Sequence, residues 1–496
     1  MKKQCIFLLL LLSSEAFASL DIINFLDPTK NEETNNTIQT NKVEFYTKKM
    51  DYLEDIQPIF DSRCVVCHSC YNSPCQLKLS SYEGVTRGAT KELVYDGTRL
   101  KAQKPTRLFI DANSTSQWRK KSFFSVLENK KAQQNSSILM QLLTLKNSNP
   151  LIEGEYNSDT DLSCPNNSID MFKYTTLNSH KGMPFGLPAI SEDEYNKLAS
   201  WVYQGQSGYT QVQTEKIKNI SKEVKKELRA FEQFLNKDDA KHQMSARYIY
   251  EHLFLAHISF ESSPDEFYEL VRSYTPSPKP IDIVDTVLPY QIKNSKKFYY
   301  RFRKIHSTIV YKTHIVFNMS MKKLQRLNSL FIEPKWNEEP HLMPYTKDMN
   351  PFVIYAQIPA TSRYQFLLDN AEYITRTFIR GPVCKGQIAL NVIHDHFWVM
   401  FIDPKHDLTI TKKGFLESQF KNLTTPIVLG NDAPILDSFT NRYIDSSNIY
   451  FDNKVELYKN YSSDGIGVEN IWRGYKGSDA PVLTIHRHFD SASIIK

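Results

Sequence analysis

The apolar positions of the chain fall into two kinds of spacing, and the change between them divides the sequence. Leu53, Ile56, Ile59 and Phe60 recur at helical steps and predict a short helix, and Pro74 limits any continuation beyond it. Tyr195, Leu198, Ala199 and Val202 share one face of a second helix. It opens at Ser191-Glu192-Asp193-Glu194, a capping box in which the Ser oxygen and the Glu carboxylate satisfy orphan amides reciprocally, and it stops near Gly205. Ile217, Ile220, Val224, Leu228, Phe231 and Leu235 recur among Lys and Glu, predicting an amphipathic connector helix with a solvated charged side. Ala246 to Ile258 (ARYIYEHLFLAHI) is apolar nearly all round and predicts a buried helix, and Tyr364 to Ile374 is also helical in pattern. Ser307 to Met319 and Ile388 to Ile402 are rich in β-branched and aromatic residues and predict strands or hairpins.

Helices first, then strands and helices without regular alternation, predict an α+β chain: a mainly α N-terminal unit followed by a mixed α/β unit. The 496 residues are too many for one core. We place a leader at 1–18, a polar lead-in at 19–50, a first unit at 51–208 and a second at 209–496. The leader has a positive start at Lys2 and Lys3, an apolar run from Cys5 to Leu12 and an Ala16-Phe17-Ala18 cleavage site. It is too short to span a bilayer, and no later run reaches the roughly 18 apolar residues of a spanning helix. These features predict export to the periplasm without a membrane helix. The formal net charge of +6 does not demand nucleic acid and is compatible with peripheral contact with an anionic membrane.

Candidate chemistry begins at Arg63-Cys64-Val65-Val66-Cys67-His68. Two thiols three residues apart with a histidine next form the arrangement that attaches haem covalently, with His68 as proximal iron ligand. A zinc pair would want a second ligand pair, and no second CxxC exists. Cys70 and Cys75 give a spacing that brushes against iron–sulfur ligation but leaves His68 unexplained. Downstream, His180-Lys181-Gly182-Met183-Pro184 feeds the capped helix, which resembles the closing half of a class I c-type cytochrome. In that resemblance Met183 is the second axial ligand, with His180 as the alternative. In an oxidising compartment Cys70, Cys75, Cys164 and Cys384 have three possible pairings, and a free Cys384 is a further alternative. His394 and His396 flank Asp395 on a predicted strand, a spacing open to metal binding or to simple hydrogen bonding within a sheet. Glu251-His252 with His257 does not form a zincin site, and no GxSxG, Walker loop or GxGxxG is present.

The stretch from Arg63 to Phe109 resembles the N-terminal signature of bacterial fatty acid cis/trans isomerases. The likeness continues through ARYIYEHLFLAHISF, RKIHSTIVYKTH, RYQFLLDNAEYI, GPVCKGQIALNVIHDHFWVMF and RHFDSAS. It implies a periplasmic enzyme with one covalent haem c, attached at Cys64 and Cys67 and ligated by His68, loaded by the c-type haem maturation machinery. The expected activity converts cis-unsaturated acyl chains of membrane phospholipids to trans without moving the double bond, in membrane-fluidity adaptation. It also implies peripheral contact with the inner membrane and a longer chain, so this sequence is read as shortened at its C-terminus. The cytochrome-like segment alone would fit a periplasmic monohaem electron-transfer or peroxidase-like protein, which leaves the second half without a purpose. A shortened remnant without turnover is the third reading.

Overall fold

The chain is described by a computed structural model at residues 43–94, 104–128, 137–150, 163–286, 288–292, 296–311, 314–346, 349–380, 395–423, 438–462, 464–473, 482–488 and 491–495. The leader, most of the lead-in, Cys384 and His394 lie outside the described residues.

A π-type turn at Tyr52–Ile56 is capped by the Asp51 carboxylate, which accepts from the Leu53 and Glu54 amides, and runs directly into α1 (Gln57–Arg63). Ile56, Ile59 and Phe60 are buried, as their spacing predicts, whereas Leu53 is half-buried and the neighbouring Tyr52 is buried in its place. After them come α2 (Tyr82–Arg87), α3 (Thr115–Arg119), α4 (Ile138–Ser148), α5 (Ser168–Leu177) and α6 (Glu192–Tyr203). The capping box forms at the start of α6: Ser191 accepts from the Glu194 amide, and Glu194 accepts from the Ser191 amide. The face carrying Tyr195, Leu198, Ala199 and Val202 joins the same apolar cluster as Tyr52 and Phe60. Trp201 centres that cluster, its ring 5.6 Å from Tyr52 and 6.4 Å from Phe60.

The connector divides into α7 (Gln211–Lys218) and α8 (Lys222–Leu235), because Asn219 takes an extended backbone and caps α7 instead of continuing it. α8 buries Val224, Leu228, Phe231, Phe234 and Leu235 on one side. The buried helix is α9 (Ala240–Leu253), which starts six residues before the apolar run and ends five residues before its end, because the chain turns at Ala256 into a strand. β1 (His257–Phe260), β2 (Ser263–Ser273), β3 (Tyr299–Ile305) and β4 (Val316–Met319) form one sheet in the order β3-β2-β1-β4, antiparallel except for the β1–β4 pair. Of the predicted strand from Ser307 to Met319 only the end pairs in the sheet. Its start is drawn away by the first unit: the Thr308 amide donates to Ser80 O at 2.8 Å and its hydroxyl to Asp61 at 2.8 Å.

Ile258, Phe260, Tyr268, Leu270, Tyr300 and Phe302 face the second apolar cluster, with α8 and α9. That cluster also takes residues of α10 (Met321–Phe331), α11 (Pro351–Ala356) and α12 (Ala360–Asp369). α13 (Ala371–Arg380), β5 (His396–Met400), α14 (Leu408–Thr411), α15 (Phe415–Gln419), α16 (Ser438–Tyr461), β6 (Val482–His488) and β7 (Ser491–Ile495) complete the chain. β5, β6 and β7 make a second, antiparallel sheet with Leu483 and Ile485 buried beneath it. Among the described residues every named strand follows His257, which is the expected α+β order.

Phe231 is fully buried between Phe260 and Phe302 at 5.9 and 6.2 Å. Phe231→Ala is expected to cost about 3–5 kcal/mol through lost transfer energy and a residual cavity, read as a lower midpoint in urea unfolding with an unchanged slope.

Candidate functional site

α1 delivers the thiol pair. The Cys64 and Val65 amides both donate to Phe60 O, at 2.8 and 2.9 Å, and Val65 is fully buried. That anchor turns the chain so that the Cys67 and His68 amides both reach Cys64 O, at 3.1 and 3.0 Å. The Leu79 amide donates to His68 O at 2.8 Å, closing a loop around the histidine. His68 Nδ1 lies 3.1 Å from Leu77 O. A carbonyl only accepts, so Nδ1 carries the proton and Nε2 keeps its lone pair. Burial holds this imidazole below its ordinary pKa, which favours the neutral form a metal ligand needs. The Ser73 hydroxyl also donates to Leu77 O, at 2.8 Å, fixing the acceptor from its other side.

Cys64 and Cys67 are outside any disulfide, whereas Cys75 is bonded to Cys164 and Cys70 is also in a disulfide. Burial, then the neighbouring Cys67, pushes the Cys64 thiol up to about 12, so it stands neutral. Arg63, the last residue of α1, donates through Nε to Glu194 at 2.9 Å. The carboxylate that caps α6 therefore also ties it to the helix carrying the thiols. This pair is part-exposed, so its contribution is orientation more than stability.

The Met183 loop lies on α4. The Met183 amide donates to Leu142 O at 2.9 Å. A Cβ on Gly182 would fall 2.3 Å from Lys146 N, so only glycine permits this approach. Met183 is part-buried against the same apolar cluster that Cys64, Cys75 and Leu77 border. His180 is exposed. The two predicted axial candidates thus differ in setting: one borders the thiol-bearing core and the other faces solvent.

The sequence reading missed a half-buried ionic group beside the His68 loop. Lys78 follows Leu77 directly, and its ammonium lies in the field of Arg87, Glu269 and Arg303. Burial and Arg87 lower it to about 8. Glu269 and Arg303 are directly opposite on β2 and β3 and form an ion pair. They stand on the sheet face opposite Tyr268 and Phe302. His257 at the head of β1 and His314 before β4 stack edge-on at 4.6 Å. Arg303 Nη1 donates to Phe109 O at 3.3 Å, and His306 contacts Glu83 at 3.2 Å and the Phe109 ring at 4.4 Å. The signal was present as charges alternating with aromatics in FYEL and YYRFRK, a period-two pattern with a polar face too buried for solvent.

His396 is exposed, contacts Asp395 at 2.7 Å and stands opposite His486 on β6 with ring centres 5.6 Å apart. Among the described residues no three His, Cys, Asp or Glu side chains converge to hold a metal ion.

Compared with known protein families, residues 103–496 match the fatty acid cis/trans isomerase (CTI) family. The chain belongs to that family, whose members are enzymes. No curated protein and no solved structure matches it. The matched stretch includes the Met183 loop, both sheets and all of α4 to α16, and it begins after the Cys64–His68 segment. The family therefore stands on residues other than the thiol pair.

Burial pushes His257 down to about 4, and burial with His257 pushes His314 down to about 3. In the unfolded chain both protonate near about 6.5. Below that pH the unfolded state binds more protons, so stability is full above it and falls on acidification. The expected loss is up to about 1.4 kcal/mol per pH unit for each histidine between about pH 6 and pH 4. Urea unfolding at pH 7, 6 and 5 checks this, and a His257→Gln/His314→Gln variant should show a flatter decline.

Proposed function

We propose that this chain is a haem c-dependent isomerase that converts cis-unsaturated acyl chains of membrane phospholipids to trans without shifting the double bond. The family supplies the isomerase class. The observation that carries haem dependence is the Leu77 carbonyl on His68 Nδ1, which leaves the Nε2 lone pair for iron beside the Cys64 and Cys67 thiols, neither of them in a disulfide. A metal-ligating histidine is characteristically oriented through its other ring nitrogen in this way.

The residues present fit a covalent haem. Cys64 and Cys67 would carry the thioether links, His68 would be the proximal ligand, and Met183 would be the sixth, being part-buried in the cluster that borders Cys64, where His180 is exposed. The bound group would supply the one-electron redox chemistry that transiently lowers the order of a carbon–carbon double bond and so permits rotation. The chain's own part is orientation and exclusion of water. Leu77 and Ser73 hold the imidazole, Gly182 lets the Met183 loop close on α4, and the aromatic packing of Tyr52, Phe60 and Trp201 keeps the helix behind the thiols dry. No acid–base pair or nucleophile is required for a rotation.

The acyl chain has to be met at a membrane. No described helix is long and apolar enough to cross one. Lys222, Lys225, Lys226 and Arg229 border one shallow surface on the solvent side of α8, whose opposite side is buried. Such a face suits peripheral contact with anionic lipid, and the exported periplasmic placement rests on the leader. The electron-transfer alternative leaves residues 209–496 without a role, although the family match spans them.

Expression in a host with c-haem maturation tests this reading. The wild type is expected to carry covalent haem by mass and absorbance and to generate trans acyl chains in extracted lipids. Cys64→Ala/Cys67→Ala should lose covalent attachment, and His68→Ala should abolish the trans product. Unchanged haem mass and absorbance in the double cysteine variant would refute the haem assignment. A haem-loaded wild type that makes no trans product would refute the activity.

A further inference from the structure

Two histidines that the acyl chemistry leaves unused come together on the second sheet. His396 opens β5 and His486 lies on β6, and the antiparallel register sets them directly opposite one another. Each belongs to a histidine-x-histidine triplet, His394-Asp395-His396 and His486-Arg487-His488. The sequence marks the first triplet as a candidate for metal binding. Only the register reveals that a histidine of the second triplet faces it.

The two imidazole centres stand 5.6 Å apart, with their planes 36° from each other. With zinc–nitrogen bonds of about 2.0–2.1 Å and ring nitrogens about 1.2 Å from the ring centre, two imidazoles on one tetrahedral ion have centres about 5.2–5.4 Å apart. The strand pairing therefore brings the rings to within a small side-chain adjustment of that spacing. Asp395 contacts His396 Nδ1 at 2.7 Å. A carboxylate accepts, so in the neutral ring Nδ1 carries the proton and Nε2 keeps its lone pair. Metal-bound histidines are characteristically oriented by such a carboxylate behind them.

The bland account is a pair of surface histidines on a sheet, with solvent on their outer nitrogens. The other histidine rings that stack in this fold are tied to the backbone, His252 at Tyr248 O and His314 at Val310 O. No hydrogen bond between described residues reaches His396 Nε2 or the ring of His486. Solvent gives no reason for two imidazoles to be held opposite one another with a carboxylate behind one of them. The exposed Trp398 ring, 5.4 Å from His396, further limits how that imidazole can turn. The described residues supply two ligands and no three-residue cluster, so the remaining positions on an ion fall to solvent.

We propose that His396 and His486 together bind one divalent late transition-metal ion, of which zinc is the type, with Asp395 as the positioning residue behind His396. Imidazole suits zinc, nickel and copper, whereas magnesium and calcium take oxygen ligands, so the pair separates these two classes of cation. β5 is an edge strand of its sheet. A bound ion clips it to β6 across the long stretch of chain between them. This site shares no residue with the Cys64–His68 motif and does not rest on the haem or isomerase reading.

Equilibrium dialysis of the full chain against zinc chloride tests it, with thiols outside the disulfides alkylated beforehand and bound zinc counted apart from any iron. The wild type is expected to hold one zinc per chain, which nickel displaces and excess magnesium does not. His396→Gln and His486→Gln should each weaken uptake about tenfold or more, and combining them should add little, because a lone imidazole no longer chelates. Asp395→Ala should weaken it about tenfold, the lower end of the effect of losing an orienting carboxylate. His341→Gln, at an exposed histidine elsewhere, should change nothing. Zinc should also raise the urea midpoint of the wild type and leave that of the His396→Gln/His486→Gln variant where it is, a measurement that shows at once whether the variant folds. A wild type that takes up no zinc, zinc uptake that the double variant retains, or displacement by magnesium overturns the assignment.

Discussion

A four-stranded sheet with one apolar face and one charged face sets the terms for everything packed on it. The apolar face meets α8 and α9 in the second cluster. The other face carries the Glu269–Arg303 pair, with His257 and His314 alongside. Buried charge is costly unless paired and hydrogen-bonded, so that face cannot be covered by apolar side chains. The first unit covers it with Lys78, Glu83 and the Phe109 carbonyl. Arg107 adds a second tie, donating to Thr286 O at 3.0 Å and to Asp285 at 2.6 Å. Pairs of this kind are weak evidence for net stability. Their consequence is register, because a shift of one residue on β2 or β3 would turn the charges into the apolar cluster.

This register reaches the histidine of the thiol motif through very little chain. Leu77 offers its carbonyl to His68 and Lys78 offers its ammonium to the sheet. Adjacent residues therefore serve the candidate iron ligand and the ionic face. The same extended segment is pinned by the Leu79 amide to His68 O and by the Gln57 side chain to Leu79 O. Orientation of the imidazole and seating of the first unit on the sheet are thus parts of one arrangement, which is how a small thiol-bearing segment can be held rigid by a much larger family-specific body.

How much of this could be read from the sequence depends on the range of the interaction. Capping at Ser191 and Glu194 and the helical stripes of α1 and α6 are local and were legible. The burial of α9 was legible too, but not its end, since a run of apolar residues reads alike in a buried helix and a buried strand. The strand predicted from Ser307 was shortened by bonds from Thr308 to Ser80 and Asp61, partners more than two hundred residues away. The Cys75–Cys164 pairing was one of several open choices that only the fold decides. At the candidate site, Cys64, Cys67 and His68 are contiguous and were visible. Lys78, His257, Glu269, Arg303 and His314 are gathered from five separate segments, and no spacing rule collects them.

The family match sharpens that division instead of removing it. It begins after the thiol motif, so the chemistry inferred for Cys64 to His68 and the ancestry inferred for residues 103–496 are independent lines that meet in one chain. They meet structurally at α9. Its last turn lines a cleft with Glu251 and His252, and the strand that follows within a few residues places His257 among the charges around Lys78. α9 therefore lines a cleft at its end and leads directly into the strand that joins the ionic face behind the His68 loop, so the family-matched second half is continuous with the surroundings of the thiol motif.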